Sequence, residues 1–471
     1  MNAHAIAPLP RAPTAVARRP GDVTAPYDTS GALLRITGGV VGDAEGERRL
    51  AARKRSIDAL ALLLTQRGDA DALIARALAD DPSYLPAHCL RAALIVRADL
   101  EAERSALAAS IAAIDEASPA SEDPQRRHAA AARAWLEGDE ALAVERYGAI
   151  VIERPRDILA LMVAHALDFR LGRRSMLRDR VAQVLPEWHE RMPGYASVLA
   201  MYAFGLEENG QYRQAEKWAR RALALDPGHP GAIHVVTHVM EMQGRARAGL
   251  AFLAATEWAW RADTGFSVHL AWHRALLHLD ADDPAAALAV YDAQIAGALD
   301  IAALADASAL LWRLQFHDVA LGERWRRLAD HWEKLSLAGA RPFFLLHAIM
   351  AFAATRRVAA AERAFAGLPQ HALLSSEDAL AAPLAEALLA FSRNDYAQCI
   401  ERLTRVRHIA HHCGGSVAQC DVVHLTFTEA ALRGGKASLA RALVAERAAR
   451  KPGSRLNRRL QRRLTASTIA A

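Results

Sequence analysis

Three prolines, Pro82, Pro155 and Pro227, recur at intervals of 73 and 72 residues, each closing a stretch that reads as helix. A proline lacks the N–H that would continue a helical ladder, so each marks a helix end. A near-constant spacing of such ends implies repeated units, and this one is close to twice a 34-residue helix-pair repeat with small insertions. Further breaks fall at Asp283-Pro284 and at Arg393, Asn394 and Asp395. From about Asp43 onward the chain reads as helix between short Gly, Pro and Asp turns.

The clearest unit runs from Tyr202 to Pro227. Gly210, Gln211 and Tyr212 make its inter-helix turn, and Ala215, Ala219 and Ala222 supply small residues where two helices must approach closely. Weaker units read Gly138, Asp139, Ala143, Tyr147, Pro155; Asp283, Pro284, Ala287, Tyr291; and Asn394, Tyr396, Cys399, Leu403. Such units pack only on their neighbours, so the core grows in one dimension and 471 residues need not divide into separate globules. The expected fold is all-α, a tetratricopeptide-repeat-like α-solenoid: a right-handed superhelix of antiparallel helix pairs. A Pro/Ala/Thr/Arg-rich segment over residues 1–30 is expected to be a disordered or loosely docked arm, with the solenoid over 31–460 and a tail over 461–471.

Composition supports this reading. Hydrophobic residues make up 52% and aromatics only 6%, so the apolar content is chiefly Ala and Leu, both strong helix formers. The formal charge of +5 is mild, and its one dense run lies near the end: Arg447, Arg450, Lys451, Arg455, Arg458, Arg459, Arg462 and Arg463. No aromatics interleave with these arginines to stack on bases, which argues for a solvated helix face against a nucleic-acid site. The four cysteines have no CxxC spacing, which excludes a disulfide framework or zinc knuckle. No signal-peptide layout and no span of 18 apolar residues occurs, so the expectation is a cytoplasmic protein without a membrane span.

Residues 229–280 depart from the bland pattern. His234, His238 and Glu241 stand at i, i+4 and i+7 among Ile233, Val235, Val236, Val239 and Met240, and therefore share one helical face. His269 and His273 repeat the i, i+4 pair on the next helix but one. Imidazoles at that spacing suit a divalent metal, with His234, His238, His269 and His273 as candidate ligands. They suit acid–base chemistry equally, because imidazole titrates near neutrality. A third pair, His408 and His412, has His411 and Cys413 beside it and reads as a surface or interface cluster.

Elsewhere Asp306, ahead of an apolar run ending in Trp312, reads as an N-cap. His347 reads as a lone core histidine. Gly414, Gly415 and Ser416 read as a sharp turn, with Ser416 capping a helix that carries Gln419, Cys420 and Asp421.

Several strings together resemble the tetratricopeptide repeat protein 38-like family over roughly residues 30–460. They are His234-Val-Val-Thr-His238-Val-Met-Glu241, His269-Leu-Ala-Trp272-His273, Ala287-Leu-Ala-x-Tyr291-Asp292, Asp306-Ala-Ser-Ala-Leu-Leu-Trp312, His347-Ala-x-Met-Ala and Gly414-Gly-Ser-x-Ala-Gln419-x-Asp421. The resemblance implies a tetratricopeptide superhelix and adds weight to the histidines, without implying an activity. Two departures stand out: Phe343 to Leu346 occupy positions where the family carries Asn and Asp, and Cys420 stands where it carries Arg.

The expected function is a binding module whose inner surface takes a small ligand, peptide or protein. His234, His238, Glu241, His269, His273, Asp306, His347, Gln419 and Asp421 would be its polar contacts, and Trp272 and Trp312 its apolar walls. An enzyme using the same groups, as a metal-assisted hydrolase or a His/Glu acid–base catalyst, and a protein–protein scaffold in which the histidines only pack are the alternatives.

Overall fold

A computed structural model describes residues 44–117, 123–262, 264–317, 319–335, 337, 340–367 and 376–469. The expected N-terminal arm lies outside the described residues. Among those residues there are 24 α-helices and no strand, only an isolated bridge between Arg67 and Thr264. The chain is an all-α solenoid of helix pairs, as the proline spacing requires. No described helix is long and apolar enough to cross a membrane.

The repeat chemistry is visible at each turn. In the pair Tyr195–Glu208 and Tyr212–Leu225, Ala215, Ala219 and Ala222 are fully buried against the partner helix, where larger side chains would force the two apart. Pro227 follows the end of that second helix. Pro230, Pro284 and Pro342 instead open helices, where the missing N–H costs no bond. Asp139, Asp157, Asp283 and Asp395 each cap a helix by accepting from a backbone N–H three residues on.

The first helices of seven pairs contribute to one inner face: Leu85–Ala98, Ile158–Arg170, Tyr195–Glu208, Pro230–Met242, Ser267–Asp280, Ile301–Leu314 and Pro342–Ala354, with Pro124–Leu136 packed on the first of them. The late helix Val417–Arg433 then comes back across this face and packs against both Ile301–Leu314 and Pro230–Met242. Arg341 pairs with Asp99, and the backbone N–H of Gly265 donates to Gln66 at 2.8 Å. These contacts, between segments up to 242 residues apart, close the superhelix around an interior space.

The expected boundary at 460 does not coincide with a structural break. A single helix, Arg455–Ile469, runs across it, because Leu456 and Leu460 bury at i and i+4 and Leu464 packs on the same core. Nor are the C-terminal cations simply solvated. Arg447 pairs with Asp421, Arg463 with Glu429 and Arg459 with Asp282.

Candidate functional site

The helix Pro230–Met242 has no solvent face: every residue from Ala232 to Met242 is buried. Its start is fixed by His229, whose Nδ1 accepts from Ala232 N and whose Nε2 faces Ser197 Oγ at 2.9 Å. Seated between Tyr195–Glu208 and Ser267–Asp280, it presents His234 and His238 toward His269 and His273. Ring centroids are 4.3 Å apart for His234–His238 and for His238–His273, and 4.7 Å for His269–His273. One nitrogen from each of the four rings lies within 4.8 Å of the other three. The two pairs read from the sequence therefore meet.

Carboxylates stand behind three of the rings. Glu207 Oε2 lies 3.1 Å from Nδ1 of His238, Glu241 Oε2 lies 2.8 Å from Nδ1 of His273, and Asp306 Oδ2 lies 2.7 Å from Nδ1 of His269. The remaining oxygens of two of these groups are engaged as acceptors. Lys451 Nζ donates to Glu241 Oε1 at 3.0 Å, and Gln419 Nε2 donates to Asp306 Oδ1 at 3.3 Å. With both carboxylates accepting on both oxygens, Nδ1–H of His273 and of His269 is the donor, and each ring turns its Nε2 away from the acid. Those two Nε2 atoms face each other at 3.2 Å. The Nε2 atoms of His234 and His238 are buried and have no hydrogen-bond partner among the described residues.

Burial holds three of these rings neutral. It lowers the His234 and His273 imidazoles well below their ordinary range, with neighbouring imidazoles adding to the effect. His238 drops to about 4 for the same leading reason, against the pull of Glu208 and Glu241. Burial acts oppositely on the adjoining acids, raising Glu207 and Glu208 each to about 8 despite the cation of Arg174. Glu208 is held in place by the backbone N–H of Val417, which donates to it at 3.1 Å across the closure of the superhelix.

Beyond Glu241 lies a second buried polar group. Lys451 sits 3.5 Å from Asp280, Arg447 joins Asp280 at 3.6 Å and Asp421 at 2.5 Å, and Ser454 Oγ donates to Asp280 at 2.8 Å. Asp421, expected among the ligand contacts, belongs here. The Arg447 and Lys451 cations outweigh its own burial and hold its carboxyl far below the usual carboxylate range.

The other expected residues divide. Gln419 joins the histidine face through Asp306. Asp306 itself is not an N-cap: Asp300 accepts from Ala303 N and caps Ile301–Leu314, which leaves Asp306 buried one and a half turns inside. Trp272 stacks on His269 with centroids 5.3 Å apart, fully buried behind the rings. Trp312 is a core residue whose Nε1 donates to Thr426 Oγ1, among Phe316, Trp325 and Phe391. His347 bonds the carbonyl of Phe343 at 2.7 Å and lies apart from the four rings in the core, as a lone core histidine should. Ser416 caps Val417–Arg433 with Gln419 completing a capping box. Gly415 holds φ +85° there, and a Cβ on it would meet the Phe343 ring at 2.7 Å, so the turn requires glycine. His408 and His412 do not share a helix: Tyr396–Val406 ends before them, and His408 is exposed.

The interior space is a cavity of about 900 Å³. His234, His269, Asp306 and Gln419 form part of its wall, while His238 and His273 lie behind it. Met162, Phe169, Met201, Phe204, Phe266 and Phe344 supply much of its apolar surface. Arg97 also lines it. Burial and the adjacent Arg170 lower this guanidinium to about 10, and no carboxylate pairs with it among the described residues. Sequence reading missed Arg97, Glu207, Glu208 and Lys451. Glu207 and Glu208 lay within the most regular repeat unit, and only the interval from Glu207 to His238, about one helix pair, hints at their contact.

No protein-family model matches the sequence. Among solved structures, a chain in the crystal structure of the APC/C hetero-tetramer Cut9-Hcn1 is similar over 90% of this chain and 73% of that one, with 12% identity and a TM-score of 0.41. A likeness that loose carries no argument about function.

Proposed function

We propose that this chain is a binding protein for a small, partly apolar molecule with an acidic group, held inside the closed solenoid. The carrying observation is the cavity of about 900 Å³, within the usual size of a small-molecule site, with Arg97 in its wall and no carboxylate paired to it among the described residues. A half-buried guanidinium with no carboxylate beside it among the described residues is poorly compensated, and an anionic ligand would supply the counter-charge. The aromatic and methionine walls would take the apolar part. His234, His269, Asp306 and Gln419 would orient its polar end. We further assign the chain to the tetratricopeptide repeat protein 38-like family, on the motif strings that include these residues. A cytoplasmic location is consistent with four free thiols.

Titration with a fluorescent amphipathic anion, anilinonaphthalene sulfonate, followed by competition with decanoate, tests this reading. Saturable one-to-one binding that weakens about tenfold in Arg97→Met is the expected result, a loss of about 1.4 kcal/mol. Absence of binding, or equal affinity in the variant, would instead favour a scaffold whose interior takes no ligand.

A further inference from the structure

We propose that His234, His238, His269 and His273 form a binding site for one divalent transition-metal ion of the zinc class. One ring nitrogen from each of four imidazoles on two adjacent inner helices converges in one buried pocket, and the Nε2 atoms of His234 and His238 have no hydrogen-bond partner among the described residues. A buried ring nitrogen without a hydrogen bond costs about 1–3 kcal/mol, and here two such atoms point into the same small volume. The His269 and His273 Nε2 atoms add a sharper constraint. Asp306 and Glu241 take both Nδ1 protons, so the two Nε2 atoms are left facing each other at 3.2 Å, where one cation can lie against both.

The distances suit such an ion. Zinc binds imidazole nitrogen at about 2.0–2.1 Å in tetrahedral sites, which places its ligand atoms about 3.4 Å apart. The His269–His273 separation is already near that edge, and the full set needs only a small contraction from its 4.8 Å limit. The surroundings have the second layer that metal-bound imidazoles require. A carboxylate behind the ring fixes the tautomer and raises the basicity of the ligating nitrogen. Glu241 and Asp306 each hold such a position, on two different inner helices, while the Glu207 carboxyl, raised by burial, lies against His238. An all-imidazole set favours zinc, copper, nickel or iron over calcium or magnesium, which take oxygen ligands. Because His234 and His269 also line the cavity, an ion held here would lie directly behind its wall. The site does not depend on what occupies the cavity.

Chelator-stripped full-length protein is titrated with Zn²⁺ by calorimetry, and with Co²⁺ as a spectroscopic reporter. The expected result is one ion per chain at submicromolar affinity, with the intense visible bands of a four-coordinate cobalt site. Asp306→Asn keeps all four ligands and should weaken binding about 10–100-fold by loosening His269. His234→Leu, which replaces a ring whose Nε2 has no partner, should retain its circular dichroism and lose binding by at least a further order of magnitude. His411→Ala/His412→Ala, which alters the histidines near the Gly-rich turn, should bind as wild type does. The proposal fails if wild-type protein takes up no zinc, which would mean a proton rather than a metal bridges His269 and His273. It fails equally if Asp306→Asn and His234→Leu both keep full affinity, or if the His411/His412 variant removes binding.

Discussion

Two buried polar clusters share Glu241 and differ in one respect. Toward the C-terminus, Asp280, Asp421, Arg447 and Lys451 form a set in which each charge has an opposite charge within 3.6 Å. Toward the cavity, three of the four histidines are held from behind by acidic side chains, yet the Nε2 atoms of His234 and His238 have no hydrogen-bond partner among the described residues. The first cluster balances its charges among the described residues and works as a clasp, tying Lys451 back onto a helix 210 residues earlier. The second is complete only with something added. Burial of polar groups is common to both, so burial alone does not mark a site; a converging set of ring nitrogens, some without hydrogen-bond partners, does.

That contrast predicts opposite responses to truncation. Lys451→Met should have the largest effect, since it strands Glu241 without a cation and leaves Asp280 only Arg447 at 3.6 Å. A loss of about 3–5 kcal/mol in denaturant unfolding is expected, and a loss below about 1 kcal/mol would mean the clasp is open in solution.

Acidification probes the neutral histidines next. Burial lowers His165 and His347 each to about 4 in the fold, from an ordinary value of 6.5. Between those values the unfolded chain binds protons that the fold excludes. Each such ring therefore removes about 1.4 kcal/mol of stability per pH unit as pH falls from 6.5 toward 4. A flat stability profile over that window would show these rings to be solvated.

His234→Leu should change the stability of metal-free protein by no more than about 1 kcal/mol, because an apolar side chain there leaves no nitrogen without a partner. A loss above about 3 kcal/mol would move His234 into the same class as Lys451. Arg405→Ala breaks an exposed i, i+4 pair with Glu401 and should cost less than about 0.5 kcal/mol by the same assay. A larger loss would show that surface pairs, too, hold the solenoid closed.

The fold was legible because it is local: prolines, caps and small residues act within one helix pair. The meeting of His234 and His238 with His269 and His273 was legible for the same reason, since an i, i+4 pair fixes a face and neighbouring pairs stack. The carboxylates behind the rings follow the repeat as well. Glu207 to His238, Glu241 to His273 and His269 to Asp306 span 31, 32 and 37 residues, each about one helix pair. An Asp before an apolar run usually caps it, but here Asp300 holds that role, which frees Asp306 to reach His269. Lys451, Arg97 and the cavity could not be read so. They arise where the superhelix closes, and no local period encodes which distant helices meet.

X-ray absorption at the zinc edge of stoichiometrically loaded protein addresses the unmatched histidine face most directly. The account predicts a first shell of four nitrogens at about 2.0–2.1 Å with the outer-shell scattering of imidazole rings. A shell dominated by oxygen or sulfur, or one with fewer than three imidazoles, would contradict it.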